Sequence, residues 1–192
     1  TNSIGTAYGE EKSFTTSYDW VDLGLPSGLK WATCNVGATS PEDYGNYYAW
    51  GETTTKASYY DSNSVTYGQQ ISDFSGNATY DAARANWGGT WRMPTKAEMQ
   101  ELINNCTWTW TTQNGVNGRR VTGPNGNSIF LPAAGACSGS SNYNVGMGGF
   151  YWSSTPHESY TDRTYGLDFY NGSHGVYWDF RYIGLSVRPV SD

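Results

Sequence analysis

Three features of the 192-residue sequence predict an α+β domain of short helices and antiparallel strands. Strand-like, turn-bounded segments open and close the chain, helix-like segments with capping residues lie between them, and no βαβ alternation joins the two kinds. The length suits one domain with its own core. Composition agrees: 16% of residues are aromatic, with 16 Tyr and 9 Trp, and there are 24 Gly, but only 15% are charged. This is the profile of a loop-rich β protein whose rings serve core and surface alike.

The same composition narrows the function. The formal net charge is −6 and no stretch concentrates Lys or Arg, so the footprint of a nucleic-acid binder is missing and DNA and RNA are not expected as partners. No run of 18 apolar residues occurs and the first residues form no signal peptide; no membrane insertion by this fragment is expected, and it reads as soluble. Cys34, Cys106 and Cys137 lie in no C-x-x-C pattern. They read as small buried hydrophobes, with one disulfide left open.

The elements follow in order. "GTAYGEEKSFTTS" alternates and then turns polar, a lone strand plus linker that one strand cannot stabilise by itself. It resembles the last strand of a fibronectin-type-III or immunoglobulin-like module, so residues 1–17 are expected to be the tail of an upstream module and residues 18–192 the domain proper. "WVDLGLPSGLKWATC" predicts strands over 20–23 and 29–34 around a turn at Pro26-Ser27-Gly28. Ser40 as N-cap, Pro41 and the acids after it predict a short helix. The polar, aperiodic stretch 53–76 reads as a long loop.

"YDAARANW", stopped by Gly88-Gly89, predicts a second helix, and "MPTKAEMQELINNC" a third. In the third, Thr95 and Glu98 form a capping box and Ala97, Met99, Leu102, Ile103 and Cys106 an apolar stripe. Beyond it the Asn-Gly steps at 114, 117 and 125 signal turns between short strands.

Near the end of the chain, Asn171-Gly172 predicts a type I′ hairpin that sets Tyr170 opposite Ser173 and Leu167 opposite Val176. Tyr165, Leu167, Phe169, His174, Val176 and Trp178 then share an inward face. Gly166, Asp168, Tyr170, Ser173, Gly175, Tyr177 and Asp179 point away from it. Tyr, Asp, Ser and Gly side by side are the residues of a recognition surface, where Tyr offers rigid amphipathic area and Ser or Gly adapts.

Catalytic motifs are missing. His157 and His174 lie in no metal-ligand spacing, Ser153 and Ser154 in no nucleophile elbow, and no D-x-D-x-D-G calcium loop occurs. No catalytic residue, metal or cofactor is expected. The three N-x-S/T sequons, at Asn77, Asn105 and Asn171, are read as carrying no glycan in a bacterial chain.

The blocks "WVDLGLPSGLKWATCNVGA", "WRMPTKAEMQELI", "NSIFLPAAG", "YWSST" and "GLSVRPV", in that order, resemble the bacterial major paralogous domain family, which has a C-type-lectin-like fold. The resemblance covers about 18–190 and implies that the first and last strands pair, with a ligand face built around 150–183. "WRMPTKAEM" is also similar to a block of the formylglycine-generating enzymes. Those carry an active-site cysteine pair near the C-terminal end, whereas nothing after Cys137 can supply one here. The sugar- and calcium-binding tripeptides of C-type lectins are likewise missing from the sequence.

"YWSST…GLDFYNGSHGVYWDFRYIGLSVRPV" further resembles the variable region of proteins diversified by diversity-generating retroelements. There, Asn codons of an adenine-rich template are randomised, which reaches Tyr, Asp, Ser, Gly, His, Arg, Phe and Ile but not Trp, Glu, Lys, Gln or Met. All the outward hairpin residues satisfy this, and Trp178 does not. The implied contact set adds Tyr160, Asp162, Arg163, Phe180, Tyr182 and Ile183, held by a framework of Trp152, Leu167, Phe169, Val176, Trp178, Leu185 and Val187. The expectation is a non-enzymatic ligand-binding domain on a bacterial or phage surface, bound to a protein or glycan. The alternatives are a fixed carbohydrate-binding or structural surface domain and, from another class, a formylglycine-generating-type enzyme.

Overall fold

The computed structural model describes residues 18–192; residues 1–17, read above as the tail of an upstream module, lie outside the described residues. The early elements are β1 (Trp20–Asp22), β2 (Lys30–Ala32), α1 (Ala82–Trp87) and α2 (Lys96–Asn105), with a 3-10 turn at Asp61–Asn63 inside the long loop. The strands of the second half are β3 (Thr107–Gln113), β4 (Val116–Thr122), β5 (Ser128–Pro132), β6 (Ala136–Ser138), β7 (Ser141–Tyr143), β8 (Gly148–Pro156), β9 (Arg163–Tyr170), β10 (His174–Phe180) and β11 (Val190–Ser191). They form antiparallel sheets in the orders β1-β2-β11, β3-β4-β5, β6-β7 and β10-β9-β8. The domain is α+β and mostly β.

The first hairpin folds as its sequence predicts, with Trp20 opposite Ala32 and the Gly28 N–H donating to the Leu25 carbonyl at 2.9 Å. The last strand joins the same sheet but pairs with β2, Val190 opposite Trp31, so the first and last strands share a sheet without being neighbours. On its other side Val190 bridges to Arg92, which wedges the chain end between β2 and the segment leading into α2.

Both later helices are capped by side chains. Asp81 accepts from the Arg84 N–H at 3.0 Å to start α1, and also takes the N–H groups of Gly76 and Met93. Thr95 and Glu98 complete the capping box of α2, and the Glu98 carboxylate grips Arg92 through both oxygens at 2.9 and 2.7 Å. The stretch after Ser40 is a turn instead of a helix. Asp43, three residues on, takes the N–H groups of Thr39 and Ser40, the local competition that diverts such residues from helix. Asn114-Gly115 and Asn125-Gly126 do turn the chain between strands, but Asn117-Gly118 sits inside β4. Glycine is required at 118 because a Cβ there would collide with the Leu131 carbonyl of β5.

Two large apolar clusters, divided by β8, and a small third one of Ala49, Tyr59 and Cys137 fill the domain. Tyr151 points into the first, with Leu23, Trp31, Met99, Leu102, Leu131, Leu167 and Phe169. Phe150 and Trp152 point into the second, with Trp50, Met93, Leu185 and Val187. A strand buried on both faces reads as a continuous apolar run, hence "FYW". Cys34, Cys106 and Cys137 are all free thiols.

Two buried arginines hold the irregular segments. Arg188 donates to the carbonyls of Ala32, Thr33 and Phe130 at 2.8–2.9 Å and to Asn35 Oδ1 at 2.8 Å. Arg181 donates to the carbonyls of Arg163, Thr66 and Gln69, its guanidinium 4.2 Å from the Trp50 ring centre. A lysine at 188 keeps the charge but cannot reproduce the planar fork. Arg188→Lys is expected to lower unfolding stability by about 3 kcal/mol or more in urea titration, since several charge-assisted bonds are lost in the interior.

Candidate functional site

The C-terminal sheet positions the predicted surface. β9 and β10 pair with His174 opposite Phe169, Val176 opposite Leu167 and Tyr177 opposite Gly166, and the Tyr170 N–H donates to the Ser173 carbonyl at 2.9 Å. The expected register is therefore met. The turn type is not, because neither Asn171 nor Gly172 takes the positive φ that type I′ demands at both positions. The tip is instead held from outside the hairpin. Arg119 on β4 donates to the carbonyls of Tyr170 at 2.6 Å, Asn171 at 2.7 Å and Ser173 at 3.4 Å, and to Trp108 on its own sheet.

On the outward face the rows are Gly148–Tyr170–Ser173, Phe150–Asp168–Gly175 and Trp152–Gly166–Tyr177. Tyr170 lies over Gly148 and meets Phe150 edge-on at 5.6 Å, and its hydroxyl is 3.2 Å from the Asn144 amide. Tyr177 leans over Gly175, where a Cβ would stand 2.8 Å from its ring. Glycines beneath two tyrosines let the rings lie along the sheet, so Gly175 acts as a floor for Tyr177. Tyr170 and Tyr177 are 39% and 53% exposed, and Ser173 is exposed at the tip.

Asp168 and Asp179 differ from the rest of the face. Burial raises the Asp168 carboxyl to about 7, and the Asp179 carboxylate adds to the effect. Asp179 is also raised by burial, opposed by its bond from the Phe180 N–H. Burial pushes Tyr143 well above the ordinary tyrosine range, with Asp179 and Asp168 next in effect. The half-buried Tyr143 and the Asn144 that follows were missed in the sequence, because β7 is short and lies outside the hairpin pattern.

The remaining expected contacts separate. Tyr160 is exposed, and Asp162, Arg163, Phe180 and Tyr182 are half-buried. Tyr182 stacks on Phe180 at 5.6 Å and meets Tyr67 edge-on. Gly166 is covered by the Trp152 ring and the Tyr151 backbone. Ile183 is a core residue of the second cluster, because the chain turns after β10 and its N–H returns to the Phe180 carbonyl. Trp178, expected inward, is 47% exposed. It lies on the predicted face, but beyond Val176, the last β10 residue packed on the first cluster.

Other reactive groups are engaged structurally. Ser153 Oγ donates to the Tyr165 carbonyl and Ser154 Oγ to Asp73. His157 stacks on Tyr165 and His174 on Trp108. Among the described residues, no three His, Cys, Asp or Glu side chains converge as metal ligands would.

A family model described as the Lcl C-terminal domain matches residues 24–191. No curated protein and no solved structure matches the chain.

Raising the Asp168 pKa means that the folded state holds a proton which the unfolded state has released, so this residue costs stability as pH climbs from about 4 toward 7. Asp168→Asn is therefore expected to melt above the parent at pH 8, with the difference vanishing below about pH 4. Melting curves across that range check both the direction and the window.

Proposed function

Because the chain belongs to the Lcl C-terminal domain family, a surface domain of ligand-binding or adhesion type, we propose that it recognises its ligand through the outward side chains of the β9–β10 hairpin. The fold in this reading is C-type-lectin-like, and the domain is displayed on a bacterial or phage surface. It does no chemistry on its partner. The observation that carries the reading is the pair Tyr170 and Tyr177: exposed rings laid over glycines, on a hairpin whose tip is tied by Arg119. Rings already fixed in place lose little freedom on binding, so their contact area converts efficiently into affinity.

Diversification of this face by a retroelement belongs to the same proposal. Its support is that Asp168, Tyr170, Ser173, Gly175, Tyr177 and Asp179 occupy one face in the register the sequence predicts. A near-copy of the codons for 150–190 beside a reverse-transcriptase gene, with adenines where the two differ, is the expected finding in the flanking DNA. If no such copy lies there, the ligand is fixed and not diversified.

Against a ligand identified on glycan and protein arrays, Tyr170→Ala and Tyr177→Ala are each expected to weaken binding by about 2 kcal/mol while the melting temperature moves only a few degrees. Tyr182→Ala is expected to cost more stability, since its ring packs on Phe180 and Tyr67. Collapse of the fold in both of the first two variants would assign those tyrosines to the core and end the proposal.

A further inference from the structure

The other face of the same sheet carries a second assembly beyond the first apolar cluster. Arg163 and Phe180 are cross-strand partners, as are Tyr165 and Trp178. The Arg163 guanidinium lies 4.1 Å from the Trp178 ring centre, 4.5 Å from that of Tyr160 and 5.3 Å from that of Phe180. Trp178 and Tyr160 are about half exposed at 47% and 50%. Rings around an arginine fix the plane of its fork before anything binds.

Among the described residues this fork has no hydrogen-bond acceptor. Nε is buried and unpartnered, with the nearest carboxylate oxygen, Asp162 Oδ1, 3.8 Å away. Among the described residues neither terminal nitrogen of Arg163 donates a hydrogen bond, although the side chain is 25% exposed. Arg119, Arg181 and Arg188 use their forks on carbonyl oxygens. Arg163 is oriented in the same way and left open. A planar donor fork with its faces covered and its end free matches a carboxylate, which accepts two parallel N–H bonds.

We propose that Arg163, framed by Tyr160 and Trp178, anchors an aspartate or glutamate side chain of a partner protein. The proposal rests on the reading of this chain as a ligand-binding domain and adds a second contact surface with a stated chemistry. Two observations favour a polypeptide over an acidic sugar. Trp, Tyr and Arg together are the residues that dominate protein–protein contacts. In addition β10, which carries Trp178, is the outer strand of its sheet among the described residues, paired there with β9 alone, and its unpaired main-chain groups can extend a strand of another protein but not a sugar.

The test uses the whole chain, labelled with 15N, with the Arg163 Nε–H resonance assigned by its loss in Arg163→Lys. Three probes are titrated: the acetylated, amidated pentapeptide Thr-Val-Glu-Val-Thr, its glutamine counterpart, and digalacturonate. The glutamate peptide is expected to shift the Arg163 resonance saturably and to bind at least tenfold tighter than either other probe. In Arg163→Lys, which keeps the charge, backbone shifts around Trp178 are expected to weaken at least tenfold while the melting temperature stays near the parent's. Equal binding of the glutamine peptide would overturn the carboxylate anchor, equal binding of digalacturonate would overturn the polypeptide partner, and no binding by any probe would overturn both. A Tyr170→Ala, Tyr177→Ala double variant is expected to bind the peptide like the parent. If it loses the peptide while Arg163→Lys keeps it, the contact lies on the outward face and only the arginine anchor fails.

Discussion

Arginine donating to main-chain carbonyls is the interaction on which this domain depends. Only short strands and two helices order the described chain, and the stretch from 33 to 81 contains one turn of 3-10 helix. Such a chain leaves many carbonyls without ladder partners, and each must find a donor if it is buried. Arg188 is buried completely and answers four acceptors contributed by β2, the residues just after it, and β5. Arg181 does the same between the loop at 66–69 and the start of β9. Burial lowers the pKa of both, Arg181 to about 10. A guanidinium suits this role because its five donors lie in one plane and it is weakly hydrated for a cation.

The parts of the fold written in short-range chemistry were legible. The capping box at Thr95 and Glu98, the stop at Gly88 and the register at Asn171-Gly172 each depend on residues within a few positions of one another. What failed depends on distant partners. Asn117-Gly118 has the letters of a turn, but its glycine answers the approach of β5 thirteen positions away, at Leu131. The order β1-β2-β11 follows from Arg92 claiming the far side of Val190, which no local pattern around either strand encodes.

The candidate site divides along the same line. Alternation assigned the face of every hairpin residue, because side-chain direction in a strand is local. Burial was not local. Trp178 has the parity of Leu167 and Phe169, yet it stands in solvent because the first cluster ends beneath Val176. Ile183 satisfies the codon criterion but follows the last residue of β10, where the chain dives into the second cluster. Tyr143 and Asn144 approach the face from β7, a strand that is not sequential with the hairpin. The electrostatics are equally remote from the sequence: two aspartates eleven positions apart sense each other only because the hairpin brings both onto one face.

The grip of Arg119 on the hairpin tip has a consequence for how this surface can change over generations. The guanidinium reads positions 170, 171 and 173 through carbonyl oxygens alone, and every amino acid carries one. The scaffold is therefore blind to what is written at those positions: a lineage can exchange Tyr170 or Ser173 for another residue and present the clamp with the same acceptors. Support and message occupy the same residues, main chain for one and side chain for the other, so the message can be rewritten without dismantling its support.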